Sequence, residues 1–234
     1  YDPYAREWQN GNSRWDIIDM VRTACALRPE GIEWPLREDG LPSFRLEDLT
    51  SANNISHAAA HDALSDVYAT IALARLVKEQ QPKLYDYVLH HRDKRSVLAQ
   101  LDIAAMKPVL HVSGMFGARR HNIALVVPLS AHPVNKNQII CFDLGANPQM
   151  LFDLAVEQLQ ELLYTRTEDL PEGTPRLGLK SIHINRCPIV LTPKMADPAT
   201  AQRLGISGDQ CRKHLEALRG YRVRDTAGFT AKVQ

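Results

Sequence analysis

The chain has 234 residues, 44% of them hydrophobic and 24% charged, an ordinary globular composition with room for one large domain or two small ones. Its 28 basic and 27 acidic residues nearly cancel, and a formal net charge of +1 neither points to a nucleic-acid partner nor excludes one, because local patches outweigh the sum. Cys25, Cys141, Cys187 and Cys211 lie far apart without a C-x-x-C pair, which argues against a zinc site and a disulfide framework and suits a reducing cytoplasm, and no run approaches the ~18 apolar residues of a membrane span, so no membrane association is expected.

The chain opens on Tyr1-Asp2-Pro3-Tyr4-Ala5-Arg6-Glu7-Trp8, with neither an initiating Met nor a signal peptide, so trimming or truncation is expected. Asn12-Ser13 can cap a first helix in which Ile17, Ile18, Val21, Cys25 and Leu27 recur at helical spacing, ending at Arg28-Pro29-Glu30-Gly31. After a loop with Pro35, Gly40 and Pro42, Ser43 can cap a short helix carrying Phe44, Leu46 and Leu49. Residues 62–77 form the clearest helix, alanine-rich and free of Gly and Pro, with Leu64, Val67, Ile71, Ala74 and Leu76 as its buried side. Helices over 83–91 and 96–103 follow. The texture then turns to β-branched runs at 109–112, 123–127, 138–142, 181–184 and 189–191, punctuated by Gly114, Gly117, Asn135 and Gly145, which read as a small antiparallel barrel or sandwich. One helix over 153–164 interrupts them and another over 208–219 closes the pattern. The expected boundary falls near residue 80.

The informative stretch is Ser56-His57-Ala58-Ala59-Ala60-His61-Asp62-Ala63-Leu64-Ser65-Asp66-Val67-Tyr68-Ala69-Thr70. Three readings compete. His57 and His61 have the i, i+4 spacing of zinc ligands, but the Glu that follows the first His of a metalloprotease helix is missing and no third ligand is evident. His61 and Asp62 can simply cap a helix, leaving Asp66 on a solvated face. Alternatively, a two-metal nuclease needs isolated carboxylates as hard oxygen ligands and a nearby His to take a proton from the attacking water. His61 in the loop before the helix and Asp66 one turn inside could face one cleft.

Longer words favour the third reading. Leu41-Pro42-Ser43-Phe44-Arg45-Leu46-Glu47-Asp48-Leu49-Thr50, Ala52-Asn53 and His61-Asp62-Ala63 with Asp66-Val67-Tyr68-Ala69-Thr70 resemble the third exonuclease motif of the bacterial exonuclease I family, within the DnaQ-like (DEDDh) class. Tyr1-Asp2-Pro3-Tyr4, Asn12-Ser13-Arg14-Trp15-Asp16 and Leu27-Arg28-Pro29-Glu30-Gly31-Ile32 resemble it too. Met106-Lys107-Pro108 and His111-Val112-Ser113-Gly114-Met115-Phe116-Gly117-Ala118 look like the start of that family's SH3-like domain, and His183-Ile184-Asn185-Arg186-Cys187-Pro188 and Arg203-Leu204-Gly205-Ile206 extend the likeness over essentially the whole chain.

The resemblance implies an α+β fold. Residues 1–80 would be the C-terminal helical part of a DnaQ-like, RNase H-like nuclease domain, and 81–234 an SH3-like β-barrel domain with inserted helices. It implies a 3′→5′ exonuclease that degrades single-stranded DNA to mononucleotides in DNA repair and recombination, with two Mg²⁺ ions in the complete site and a cytoplasmic monomer as the complete protein. By resemblance His61 is the general base, Asp66 the last of the acidic metal ligands, and Arg45 a substrate-binding residue near the scissile phosphate, where a forked guanidinium suits phosphate oxygens. Tyr4, Trp8 and Arg22 lie at positions that contact single-stranded DNA, aromatics by stacking and arginines along the backbone. Asn137, Lys180 and His183 are further DNA-contact candidates in the barrel. The family also binds the acidic C-terminal tail of single-stranded DNA-binding protein, and Arg28, Tyr87, Lys107 and Arg219 fall at positions suited to it. Thr192 and Asp197 depart from the polar or basic residues expected there, and Asp197 would repel an acidic tail.

One departure is larger. The family's Asp-x-Glu motif, the aspartate of its second motif and its last helical domain are absent from this sequence. Asp66 alone cannot hold two metals, so the chain by itself is expected to lack exonuclease activity. The competing reading is a non-catalytic module that grips single-stranded DNA or the acidic tail.

Overall fold

A computed structural model describes residues 9–56, 63–166, 169–171 and 173–234. They form ten α-helices and five strands among the described residues, in two compact units. The first unit comprises Tyr1–Val97, Val112–Ile123 and Arg186–Leu191; the second comprises Leu98–His111, Ala124–Asn185 and Thr192–Gln234. The mixed helix-and-sheet class expected from the sequence is the class found.

In the first unit, α1 (Ile17–Leu27) starts at Asp16, whose carboxylate accepts from the Ile18 N–H at 3.0 Å. That replaces the expected cap at Asn12-Ser13, because an acceptor directly before the first turn reaches its free N–H groups and one several residues earlier does not. Met20, Val21, Ala24 and Leu27 are buried, and the Thr23 hydroxyl beside them donates to the Asp19 carbonyl at 2.6 Å, which satisfies that hydroxyl. Next come α2 (Leu46–Ala52), α3 (Ala63–Gln80), α4 (Pro82–His90) and α5 (Lys94–Gln100).

Helix α3 packs on α1, α2 and α4 through a narrow stripe, Ala69, Leu73 and Val77. The expected stripe is not the buried one: Leu64, Val67 and Ile71 are 60%, 52% and 42% exposed, and Tyr68 beside them is 64% exposed. The helix is apolar on two sides, and the i, i+3, i+4, i+7 series of larger residues has no partner among the described residues. The expected boundary near residue 80 falls between α3 and α4, inside the first unit. The compact units do not coincide with it, because Leu84 and Val88 of α4 are buried and α4 packs on α1 and α3.

The second unit is built on β1 (Val109–Val112), β2 (Ile123–Ala131), β3 (Gln138–Asp143) and β4 (Leu179–His183), which lie side by side in the order β4-β3-β2-β1. The short β5 (Ile189–Leu191), wholly buried, counts with the first unit. Strands β2 and β3 pair antiparallel with Val127 opposite Phe142. The register shifts between Pro128 and Ser130, a bulge beside a residue that cannot donate to the ladder. Strands β3 and β4 pair with Gln138 opposite His183 and Phe142 opposite Leu179.

The β3–β4 connection carries α6 (Gln149–Asp153) and α7 (Val156–Tyr164), where the sequence predicts one helix; Leu154 is extended and breaks the run. The last strands are followed by α8 (Pro198–Arg203), α9 (Gly208–Arg224) and α10 (Thr226–Val233). The core of this unit gathers Val127, Leu129, Phe142, Leu151, Leu159, Leu218 and Phe229. Phe142 is fully buried, and a Cβ on Gly178 would lie 2.6 Å from its Cζ, closer than carbon atoms approach.

That contact makes Gly178 a packing requirement. Gly178→Ala is expected to destabilise the chain by ~1–3 kcal/mol through overpacking. Gly208→Ala, where a Cβ meets nothing within 4 Å, should stay within ~0.5 kcal/mol. Urea denaturation of both variants checks this, and equal midpoints would remove Gly178 from the argument.

Candidate functional site

In the first unit, a cleft of about 930 Å³ is lined by Arg22, Arg37 and Arg45, by Asp39, Ser43, Phe44 and Asp48, and by Gly114, Gly117 and Asn122. Arg22 stands in the middle of α1. One of its terminal nitrogens binds the Asp19 carboxylate at 2.7 Å, and its guanidinium lies 5.9 Å over the Phe44 ring. A Cβ on Gly114 would come within 3.0 Å of its nitrogens, so the glycine leaves room for the guanidinium. Its Nε is buried and has no hydrogen-bond partner.

Arg37 is held by both carboxylate oxygens of Asp39, at 2.8 and 3.2 Å. The Leu41 backbone N–H, and after it Arg37, keep the Asp39 carboxyl below its ordinary range, so Asp39 stays ionised beside its arginine. Arg45 is exposed at the N-terminus of α2. Its backbone is fixed there by the buried Ser43, whose hydroxyl donates to Asp48 and accepts from the Arg45 N–H at 3.4 Å.

Arg45 also lines a second cleft of about 540 Å³, with Leu46, Glu47, Asp48 and Asp66. Asp66 is half-buried in the first turn of α3, where its carbonyl accepts the Thr70 hydroxyl at 2.8 Å. The structure therefore brings Arg22 to Arg45 and Arg45 to Asp66. Tyr4, Trp8 and His61 lie outside the described residues. Among the described residues no group of three or more His, Cys, Asp or Glu side chains could hold a metal ion. Asp66 fits one hard oxygen ligand of a magnesium site, and this stretch does not furnish the remainder.

The remaining expected residues divide between the units. In the second unit, Asn137 and His183 meet at one end of the β3–β4 ladder. The Ile184 N–H donates to the Asn137 carbonyl at 2.9 Å, and the Gln138 amide lies 2.9 Å from the His183 Nε2. Lys180 sits further along β4, opposite Cys141. Arg28 and Tyr87 belong to the first unit, and Lys107 and Arg219 to the second. Arg28 donates to the Leu27 carbonyl at 2.5 Å, and Tyr87 stacks on His91 with ring centroids 4.1 Å apart. Arg219 clamps the carbonyls of Ala105 and Met106 at 2.9 and 3.1 Å, immediately before Lys107.

Lys107 lines a separate cleft of about 420 Å³ whose walls are mostly apolar, from Pro108, Leu125, Leu144, Pro193, Cys211 and Leu215, with Lys194 and Arg212 as further cations. Thr192 lines it as well. Asp197 does not; its carboxylate accepts the Thr200 N–H at 2.8 Å and caps α8. Sequence reasoning missed Arg37, Gly114 and Asn122 in the first cleft and Lys194 and Arg212 in this one. The two glycines of Ser113-Gly114-Met115-Phe116-Gly117 were the available signal for a close backbone approach.

The Exonuclease I SH3-like domain family matches residues 92–228. Exodeoxyribonuclease I of Escherichia coli (strain K12) is 51% identical over 219 residues, covering 94% of this chain and 46% of that protein. The crystal structure of E. coli Exonuclease I in complex with a dA16 oligonucleotide superposes with a TM-score of 0.92 at 47% identity, over 100% of this chain and 50% of that one. That of SSB/Exonuclease I in complex with inhibitor CFAM superposes with a TM-score of 0.87 at 46% identity, over 100% and 49%. The chain spans about half the length of the relatives it matches. With one of its halves matched by that family's SH3-like domain and nearly all of it aligned to exodeoxyribonuclease I, the chain belongs to the exonuclease I family.

Proposed function

We propose that this chain serves a 3′→5′ exonuclease that degrades single-stranded DNA to mononucleotides, in DNA repair and recombination in the cytoplasm. The carrying observation is that Arg45 lines two adjoining clefts, one bearing Arg22 and the other Asp66. A phosphate-tracking groove beside a carboxylate suited to a hard cation is what phosphodiester hydrolysis on a single strand requires. E. coli Exonuclease I, similar over this whole chain, was solved with a dA16 oligonucleotide.

In this reading Arg22 and Arg45 hold the strand by its phosphates, with Asn137, Lys180 and His183 as further contacts and Tyr4 and Trp8 as stacking platforms. Asp66 offers one oxygen ligand to Mg²⁺, and His61 takes the proton from the attacking water. The metal, when bound, supplies positive charge for the attacking and leaving oxygens. Asp66 alone does not make that site, so the 234 residues in isolation bind the strand and leave it whole.

A second observation favours a protein partner. The cleft around Lys107, Lys194 and Arg212 joins three cations to apolar walls, which suits an acidic peptide ending in apolar side chains. We propose the acidic tail of single-stranded DNA-binding protein as its occupant, with Lys107 at the cleft and Arg219 bracing the loop before it. SSB/Exonuclease I is the subject of one of the similar structures.

Four outcomes are expected. The isolated chain should bind a fluorescent single-stranded oligonucleotide with an affinity that falls steeply with salt, and release no mononucleotide in Mg²⁺. Arg45→Ala should weaken that binding several-fold and lower the salt slope by about one ion. Digestion by the isolated chain would overturn the ligand argument. In the natural gene product, Asp66→Asn should lower Mg²⁺-dependent release of mononucleotides by more than the ~10–100-fold typical of groups outside a metal's own ligands; unchanged activity would remove Asp66 from the site. Lys107→Glu should weaken an acidic, Phe-ended peptide at least about tenfold by anisotropy while leaving oligonucleotide affinity within about twofold, the cost of a like charge facing a carboxylate.

A further inference from the structure

The loop between β1 and β2 is tied down mainly by its own backbone, with the Ser113 hydroxyl accepting the Met115 N–H at 3.3 Å. The Ser113 N–H donates to the Asn122 carbonyl at 2.8 Å, the Asn122 N–H to the Gly117 carbonyl at 3.0 Å, and Phe116, Gly117, Arg120 and His121 donate three residues back at 2.9–3.1 Å. Asn122 adopts φ +56° and is 4% exposed. Both of its backbone groups are thus engaged in holding the loop, and its side chain is not needed for that. Yet its Nδ2 is buried with no hydrogen-bond partner. Of the four such atoms among the described residues, two belong to residues that line the same cleft, Nδ2 of Asn122 and Nε of Arg22. Both are donors, so together they ask for an acceptor.

We propose that Asn122 is a further phosphate-binding residue of the Arg22–Arg45 cleft, its amide donating to a phosphodiester oxygen of the strand beside the Arg22 Nε–H. The inference deepens the reading of this cleft as a single-strand groove and rests on it. A donor left unpaired away from water is costly, and hydrogen bonds to a charged acceptor are the strong ones. The amide torsion of asparagine is broad, so a rotation turns the amide toward the cleft that the residue already lines. Both donors belong to residues of a cleft with three arginines, which favours a charged acceptor there.

The test is oligonucleotide binding by the 234-residue chain, comparing Asn122→Gly and Asn122→Asp with Arg22→Ala. Glycine and aspartate both tolerate the left-handed backbone, so the loop is kept, and an unchanged thermal midpoint verifies it. Asn122→Gly should weaken binding about tenfold with the salt slope unaltered, because a neutral donor releases no counterion. Arg22→Ala should weaken binding and lower the slope by about one. Asn122→Asp should weaken it further by setting a carboxylate against the phosphate, and that extra loss should vanish with an oligonucleotide carrying neutral methylphosphonate linkages. If Arg22→Ala weakens binding and Asn122→Gly does not, the Asn122 amide meets only solvent and the proposal is wrong while the groove stands. If neither Arg22→Ala nor Arg45→Ala matters, the groove itself is misread.

Discussion

A guanidinium that is to meet an anion must be held in place without being used up, and Arg22 is held that way. One terminal nitrogen is tied to Asp19 a turn earlier on the same helix, the face lies over Phe44, and the edge meets Gly114 where no side chain intervenes. A partly exposed ion pair of this kind adds little stability; its effect is to restrict a long side chain to one position. The Nε–H is left over, buried and unpaired. Arg37 makes the contrast, since both oxygens of Asp39 already take its fork. Of these two arginines of the cleft, Arg22 is the one that keeps a buried donor in reserve.

Much of the fold was legible because its signals are local. All five strands stand within a few residues of the β-branched runs that predict them, bounded by Gly and Asn as turns demand. What was missed depends on choices the sequence presents without ranking. Asn12, Ser13 and Asp16 can each cap a helix, and only the last reaches its first turn. Helix α3 is apolar on two sides, and Ala69, Leu73 and Val77 win burial over the bulkier Leu64, Val67 and Ile71 because α1, α2 and α4 lie on that side. Helix α10 has weak apolar periodicity and an internal glycine. It exists as a separate element because Asp225 both ends α9 and accepts the Gly228 N–H at 2.8 Å to start the next helix.

The site was legible in a different way. Arg22 and Arg45 were singled out by resemblance to a family, and no periodicity would have joined residues on separate helices. The structure sets them in one cleft and sets Asp66 beside Arg45. Asn122 and Gly114 escaped notice because they come from a loop more than sixty residues further along, where two glycines and a left-handed asparagine read as ordinary turn chemistry. In the other unit, Asp197 stands outside the Lys107 cleft, and its carboxylate caps α8, a local role that the sequence reading did not assign it.

These particulars bear on where the protein divides. The SH3-like family match begins at residue 92, and a cut near 80 or 92 would respect the sequence. It would not respect the packing, because 112–123 and 186–191 count with the first unit. The loop that brings Gly114, Gly117 and Asn122 to the arginines is carried by strands of the later segment. A first segment made alone would keep the Asp19 and Phe44 contacts of Arg22 and the Asp39 pair of Arg37, and would lose the Gly114 backbone that confines the Arg22 guanidinium. Long charged side chains bind anions weakly when they must first be ordered, since each gives up roughly 0.5–1.5 kcal/mol of rotamer freedom on binding. The arginine-lined cleft is therefore a product of the two sequence segments folded together, since Gly114, Gly117 and Asn122 come from one and Arg22, Arg37 and Arg45 from the other.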